Sequence, residues 1–410
     1  MKIQRVRALE VLDSRGNPTV EAEVLLDDGT RATAQAPSGA STGRHEAVEL
    51  RDGDPSRYGG KGVLRAVRNI EEALGPAVAG LDPGDQQTVD ARLIETDSSE
   101  GRRRLGANAV LAVSCAVARA AACSRGLPLW KYLAQARMNS HCHLPVPMVN
   151  IISGGLHAGR NMEFQDFLVI PRGYADLAAA LEGIVSVHRE TGRLLTARGC
   201  VLTGVADEGG WGPHLESNEQ AAAILREAIE AAGARMDIAL DVAATHFFEA
   251  GRYVFEGRRI TAAGMARMLE RWIPRYGITS IEDPLAEDDW QGWQAITRRL
   301  GAAVRLVGDD LFATNPERLN RGIREGAANA VLVKMNQIGT LTETFAVIDR
   351  AREAGYGAVI SARSGETEDS FLADLAVASG AGQIKIGSIT RSERLAKYNR
   401  LLGIEKWALT

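Results

Sequence analysis

The stretch Ala330–Thr340, AVLVKMNQIGT, organises the reading of this chain. Its apolar, β-branched run has no polar alternation, which is how a strand covered on both faces reads. The run ends on Lys334, and a polar turn containing Gly339 follows. A lysine where such a strand emerges is partly stripped of water. Lost hydration and nearby cations lower the pKa of an ammonium until it can act as a base. Taken alone, a strand-end lysine that reaches solvent fits the same pattern. Its neighbours decide otherwise. MDIALDVAA with Asp241, ITSIEDP with Glu282, VRLVGDD with Asp309, GAVISARSGE with Arg363 and Ser364, and GQIKIGS with Lys385 each pair an apolar strand with a charged end. Helical stretches such as Ala262–Trp272, Trp290–Leu300, Glu317–Glu325 and Leu341–Ala354 lie between them. Strand and helix alternating at this spacing predict a (β/α) barrel, with its chemistry at the strand C-terminal ends.

Bulk properties set the frame. A chain of 410 residues is long for one core, so two domains are expected. Hydrophobic content of 45% and charged content of 24% are ordinary for a soluble globular protein. A net charge of −4 gives no electrostatic ground for nucleic-acid or membrane binding. The four cysteines (Cys115, Cys123, Cys142, Cys200) lack paired spacing, which suits a reducing cytoplasm. The N-terminus lacks a signal peptide's apolar core, and no apolar run is expected to reach transmembrane length. A cytoplasmic, soluble protein is the expectation.

Taken in order, residues 1–36 read as a β meander, and PSGASTG (37–43) as a loop of small residues able to approach a ligand closely. Its hydroxyls at Ser38, Ser41 and Thr42 suit a metal or a phosphate. From Val63 to about Ala134 the chain reads helical, with a long Ala-rich helix over Leu105–Ser124. Residues 135–147 read as a linker; adjacent residues in its His141-Cys142-His143 cannot easily share one ion. Beyond Met148–Ile152 comes SGGLHAGR with His157 and Arg160, then FQDFLVI, which sets Asp166 inside an apolar strand. A buried carboxylate there needs a partner. VADEGG places Asp207 and Glu208 before paired glycines.

PSGASTG, GGLHAG, DEGG, ALDVAA, IEDP, GDDL, KMNQIGT, RSGETED and RSERLAKYN, in this order and spacing, resemble the enolase family. The resemblance covers nearly the whole chain. It implies an α+β capping domain over residues 1–136 and a modified (β/α)8 barrel over 137–410 whose first strands are not all parallel. It also implies a homodimer or higher homo-oligomer, a small anionic phosphoryl or phosphonyl substrate, and two Mg²⁺ ions. By the same resemblance, Asp241, Glu282 and Asp309 hold the first ion, and Ser41 joins the second with substrate oxygens. Lys334 is the base, Lys385 binds the substrate carboxylate, and Arg363 with Ser364 binds its phosphoryl group. Glu208 assists departure of the hydroxyl, with His157 and Asp166 close by and Gln165 and Arg160 on the substrate. The residue types suit the task. Removing a proton alpha to a carboxylate piles charge on its oxygens, which divalent cations stabilise.

Two positions depart from the family pattern. Enolase has glutamate where this chain has Asp166, and histidine where it has Ala362. Aspartate draws its carboxylate back by roughly 1–1.5 Å, and misplacement of that order can cost about 10²-fold in rate. Strand parity points Glu163 away from Asp166, so it is no substitute. With Arg160 adding a cation, the leading reading is a specialised homologue acting on a phosphoryl-modified analogue of 2-phosphoglycerate. It is similar to the branch that forms carboxyphosphonoenolpyruvate in phosphinate biosynthesis. An ordinary glycolytic enolase is the alternative. A non-catalytic enolase-like binding or structural protein comes third, because three clustered acids without a metal repel one another.

Overall fold

The computed structural model describes residues 1–39, 44–138 and 142–408. Packing divides the chain into two compact units that interleave in sequence. The first comprises Met1–Pro145 with Val333–Arg350 and Ala362–Ala381; the second comprises Val146–Leu332 with Ala351–Ser361 and Gly382–Thr410.

The first unit opens with the antiparallel sheet of β1 (Ile3–Leu12), β2 (Pro18–Leu26) and β3 (Arg31–Gln35). Short helices α1 (Leu64–Asn69) and α2 (Gly75–Val78) flank a single widened helical turn at Ile70–Leu74. They lead to α3 (Gln86–Thr96), α4 (Ala107–Ser124) and α5 (Leu129–Ala136). One expectation is corrected here. By length and composition alone α4 could cross a membrane, yet 83% of it is buried. It packs on β2 and β3, its alanines allowing close approach, so it is a core helix. Its one cation, Arg119, pairs with Asp369 at 2.6 Å.

The second unit is a closed eight-stranded barrel. Its chain order begins β4 (Val146–Ser153), β5 (Asp166–Pro171), α6 (Leu177–Ala197), α7 (Asn218–Ala231) and β6 (Met236–Asp241). A small antiparallel sheet, β7 (Phe248–Glu249), β8 (Arg252–Phe255) and β9 (Arg258–Ile260), follows. Then come α8 (Ala262–Tyr276), β10 (Ile278–Glu282), α9 (Trp290–Leu300), β11 (Arg305–Gly308), α10 (Pro316–Glu325) and β12 (Ala330–Val333). The chain then runs through α11 (Leu341–Glu353) and α12 (Phe371–Ser379), which fall mainly in the segments of the first unit, while β13 (Gly357–Ser361), β14 (Gln383–Gly387) and α13 (Ser392–Ala408) complete the second. The cyclic strand order is β10-β11-β12-β13-β14-β4-β5-β6.

Sequence signals start the outer helices. The side chains of Asp176, Ser217, Thr261, Asp289 and Asn315 each accept a backbone N–H in the first turn of α6 to α10 respectively. Met148, Leu168, Ala239, Val307, Leu332 and Val359 belong to one buried cluster contributed by the strands. β5 alone runs against its neighbours, antiparallel to both β4 and β6. Asp166 therefore opens its strand instead of sitting inside it, paired in register with Asp241 at the end of β6. Reversal brings the start of one strand to the end where the others finish.

Candidate active site

Within the barrel unit the acids arrive in register. Glu282 ends β10 directly beside Asp241 at the end of β6, and Asp309 follows β11, the next strand round. All three are buried. Lys385 on β14 reaches in among them, its Nζ donating to Asp241 Oδ2 and Glu282 Oε2 at 2.7 Å each. Burial alone would lower this ammonium's pKa, but the Asp241 and Glu282 carboxylates outweigh it and hold it well above the usual lysine value. Gln165 also faces Asp241: its N–H meets the backbone carbonyl at 2.9 Å and its Nε2 the Oδ2 at 3.2 Å.

A second cluster forms around Asp166, the first residue of the reversed strand. His157, Asp166 and Glu208 offer ligand atoms within 4.8 Å of one another, all three residues described with side chains nearly closed to solvent. His157 Nδ1 is 3.0 Å from Asp166 Oδ2, and its Nε2 is 3.8 Å from Glu208 Oε1. Burial opposes a charged imidazole, yet the Asp166 and Glu208 carboxylates raise the His157 pKa to about 9. Burial raises the Asp166 carboxyl, against the pull of His157. The other Asp166 oxygen accepts from Asn150 Nδ2, which also meets Ser153 Oγ at 2.9 Å. Glu163 is spoken for elsewhere, accepting from Asn218 Nδ2 at 2.6 Å and from the Glu256 N–H at 2.9 Å.

Arg160 is exposed, in left-handed backbone at φ 60°, beside a cavity of about 350 Å³. Glu163, Glu216 and Glu256 line that cavity with it.

The remaining expected residues belong to the first compact unit. Lys334 directly follows β12, and its carbonyl accepts from the Gln337 N–H at 3.0 Å. Arg363 is buried, paired with Glu46 at 3.1 Å and donating to Asn336 Oδ1 at 2.8 Å. Ser364 Oγ accepts from Arg15 at 3.3 Å, and Arg15 also pairs with Asp13 at 3.2 Å. Ala362 is buried, at the residue after β13. Ser41 and Thr42 of the small-residue loop, and His141, lie outside the described residues.

These groups suit a hard divalent cation. Three buried carboxylates end neighbouring strands, and an ammonium already balances two of them. Family models for "Enolase, N-terminal domain" and "Enolase, C-terminal TIM barrel domain" match residues 3–133 and 141–408. The chain belongs to the enolase family. Among curated relatives, an enolase of Acidothermus cellulolyticus is 53% identical over 408 residues, covering 98% of this chain and 94% of its own. This chain is therefore an enolase-type enzyme, a carbon–oxygen lyase of the hydro-lyase kind.

Sequence reasoning passed over several residues that build this enolase-type site. Asp283, in the IEDP motif, accepts the N–H groups of Asp309 and Asp310 at 3.0 and 2.7 Å. Asp283, Asp309 and Asp310 bring carboxylate oxygens within 4.8 Å of each other, a second acidic group able to hold a cation. Burial and the neighbouring acids push the Asp283 pKa well up. Asp283 also sits in left-handed backbone, φ 41°, the kind of strain that over-determined functional sites retain. Paired acids in IEDP and GDDL were the available signal. Asn150 carried none, because its role depends on which strand lies beside it.

Proposed function

We propose that this protein catalyses the enolase reaction, removing water from 2-phosphoglycerate to give phosphoenolpyruvate with Mg²⁺. The carrying observation is the buried Asp241–Glu282–Asp309 set with the Lys385 ammonium bridging two of its members. The 53% identity to a curated enolase across 98% of the chain favours this ordinary reaction over a specialised one. In this reading Lys334 takes the proton from C2 and the C–H electrons move toward the carboxylate. The C2–C3 double bond then forms as the C3–O bond breaks, and Glu208 assists the hydroxyl in leaving as water. His157, fixed by Asp166, keeps a cation beside Glu208. Lys385 holds the substrate carboxylate, with Gln165 orienting Asp241 beside it. Arg363 and Ser364 take the phosphoryl group.

Asp241, Glu282 and Asp309 would hold one Mg²⁺, and Ser41 a second together with the substrate. Bound there, the ions supply positive charge to the carboxylate oxygens as the α-proton leaves. The reading also carries a homodimer in the cytoplasm. None of the four cysteines forms a disulfide among the described residues, which supports a reducing compartment. Phosphorus NMR of 2-phosphoglycerate incubated with the protein and Mg²⁺ is the test. A steady phosphoenolpyruvate signal is expected, and its absence would refute the proposal.

The two departures from the family pattern favour one second reading. Asp166 is one methylene short and Ala362 presents only a methyl group, which supports a substrate with a bulkier group on phosphorus, such as a carboxyphosphono compound. The comparisons do not support this version. It is tested with Asp166→Glu combined with Ala362→His, which on this reading raises turnover of 2-phosphoglycerate by about 10²-fold. An unchanged rate would dispose of it.

A further inference from the structure

The barrel also carries a cavity at the strand N-terminal ends. Its volume is about 490 Å³, and it is lined by Ser280 near the start of β10, Arg305 opening β11, Asn329 just before β12, Gly357 opening β13 and Gln383 opening β14. No aspartate or glutamate is among its lining residues. Arg305 is half-buried and makes no ion pair among the described residues; its one hydrogen-bond acceptor is Gln383 Oε1. Burial lowers its pKa, and no carboxylate is near enough to restore it. Its guanidinium lies over Gly357, where a β-carbon would sit 3.3 Å from Nε and 3.4 Å from Cζ. Ser280 is 2% exposed, yet its Oγ has no hydrogen-bond partner. Both features cost stability unless something meets them.

The wall of this cavity is braced. Asn329 accepts the Leu306 N–H at 2.8 Å and donates to the carbonyls of Gly301 and Val304 at 3.0 and 3.1 Å. A planar guanidinium and a hydroxyl donor in a rigid recess without acids match a tetrahedral oxyanion, which takes paired hydrogen bonds from arginine. The volume exceeds what a bare ion needs and falls in the range of small-molecule sites. We propose that this cavity is a phosphate-binding site, for the free ion or a small phosphate ester, separate from the reaction centre and independent of the proposed reaction.

The test observes Arg305 itself, so that binding at the catalytic end cannot mimic it. In the full-length ¹⁵N-labelled protein, the Arg305 Nε–H resonance, assigned by its loss in Arg305→Lys, is followed during titration with inorganic phosphate and with glycerol 3-phosphate. A saturable shift is expected with at least one probe; tighter binding of the ester marks a metabolite site, and tighter binding of phosphate an ion site. Ser280→Ala removes a buried hydroxyl without a partner, so it should fold at least as well and bind about threefold more weakly. Turnover of the Ser280→Ala enzyme should be unchanged. An Arg305 resonance that ignores both probes, or affinities untouched by Ser280→Ala, would overturn the proposal.

Discussion

His157 and Lys385 are cations that the fold keeps charged at the cost of burying them. The ordinary histidine value is 6.5 and the folded value about 9, so His157 binds its proton more tightly in the native state. Its contribution to stability is therefore fully present below about 6.5 and is lost as pH rises through about 9. The ring-carbon proton of His157, followed by NMR in the ion-free protein, should titrate near 9 in the wild type. It should titrate markedly lower in Asp166→Asn; the same midpoint in both would remove Asp166 as the cause. Lys385 gives a second prediction. With its ammonium gone, Asp241 and Glu282 are buried acids facing each other, and removing one partner of a buried pair costs about 3–5 kcal/mol. Lys385→Met should lose that much in urea unfolding without divalent ions. Added Mg²⁺ should then stabilise the variant more than the wild type, because it supplies the missing charge.

The loops after β10 and β11 show how elements, not isolated residues, hold the acids. Asp283 accepts two consecutive amides of the Asp309–Asp310 turn, so Asp283→Ala would leave those N–H groups without their acceptor. Mg²⁺ affinity measured by calorimetry should fall about 10–100-fold, the usual loss on removing a group that orients metal ligands. A smaller test of the frame is Asn315→Ala at the start of α10, where the side chain accepts from Glu317 and Arg318. It should cost about 1 kcal/mol in urea unfolding, with turnover unchanged. Where elements were readable in advance, the reason is local. Apolar runs with a charged residue at or just past their ends marked β10, β11, β13 and β14, and the helical stretches between them marked α8, α9 and α10. Non-local facts were hidden. The resemblance implied that the first strands are not all parallel, and they are not; that FQDFLVI is the reversed strand, which brings Asp166 to Asp241, emerges only from pairing. The β7–β9 sheet has strands of four residues or fewer, too short for a period to show. The composition of α4 fits a bilayer as well as a core; Arg119 within it speaks for the core, and its burial decides it.

At the scale of the molecule, the family is legible from end to end because its motifs sit at strand ends that the barrel must gather. The substrate is less legible: the reading of a modified analogue rests on Asp166 and Ala362, whereas the 53% identity to a curated enolase favours the ordinary one. The metal ligands must be ionised to hold an ion. Chelation should therefore abolish turnover and Mg²⁺ restore it, while Glu282→Gln or Asp309→Asn should leave no activity to restore. The most direct measurement is a phosphorus NMR time course of the wild-type protein with 2-phosphoglycerate, run with Mg²⁺ and with chelator, beside a carboxyphosphono analogue. Phosphoenolpyruvate forming only in the presence of Mg²⁺ is the expected result. Conversion of the analogue alone, or of neither compound, would contradict the assignment as an ordinary enolase.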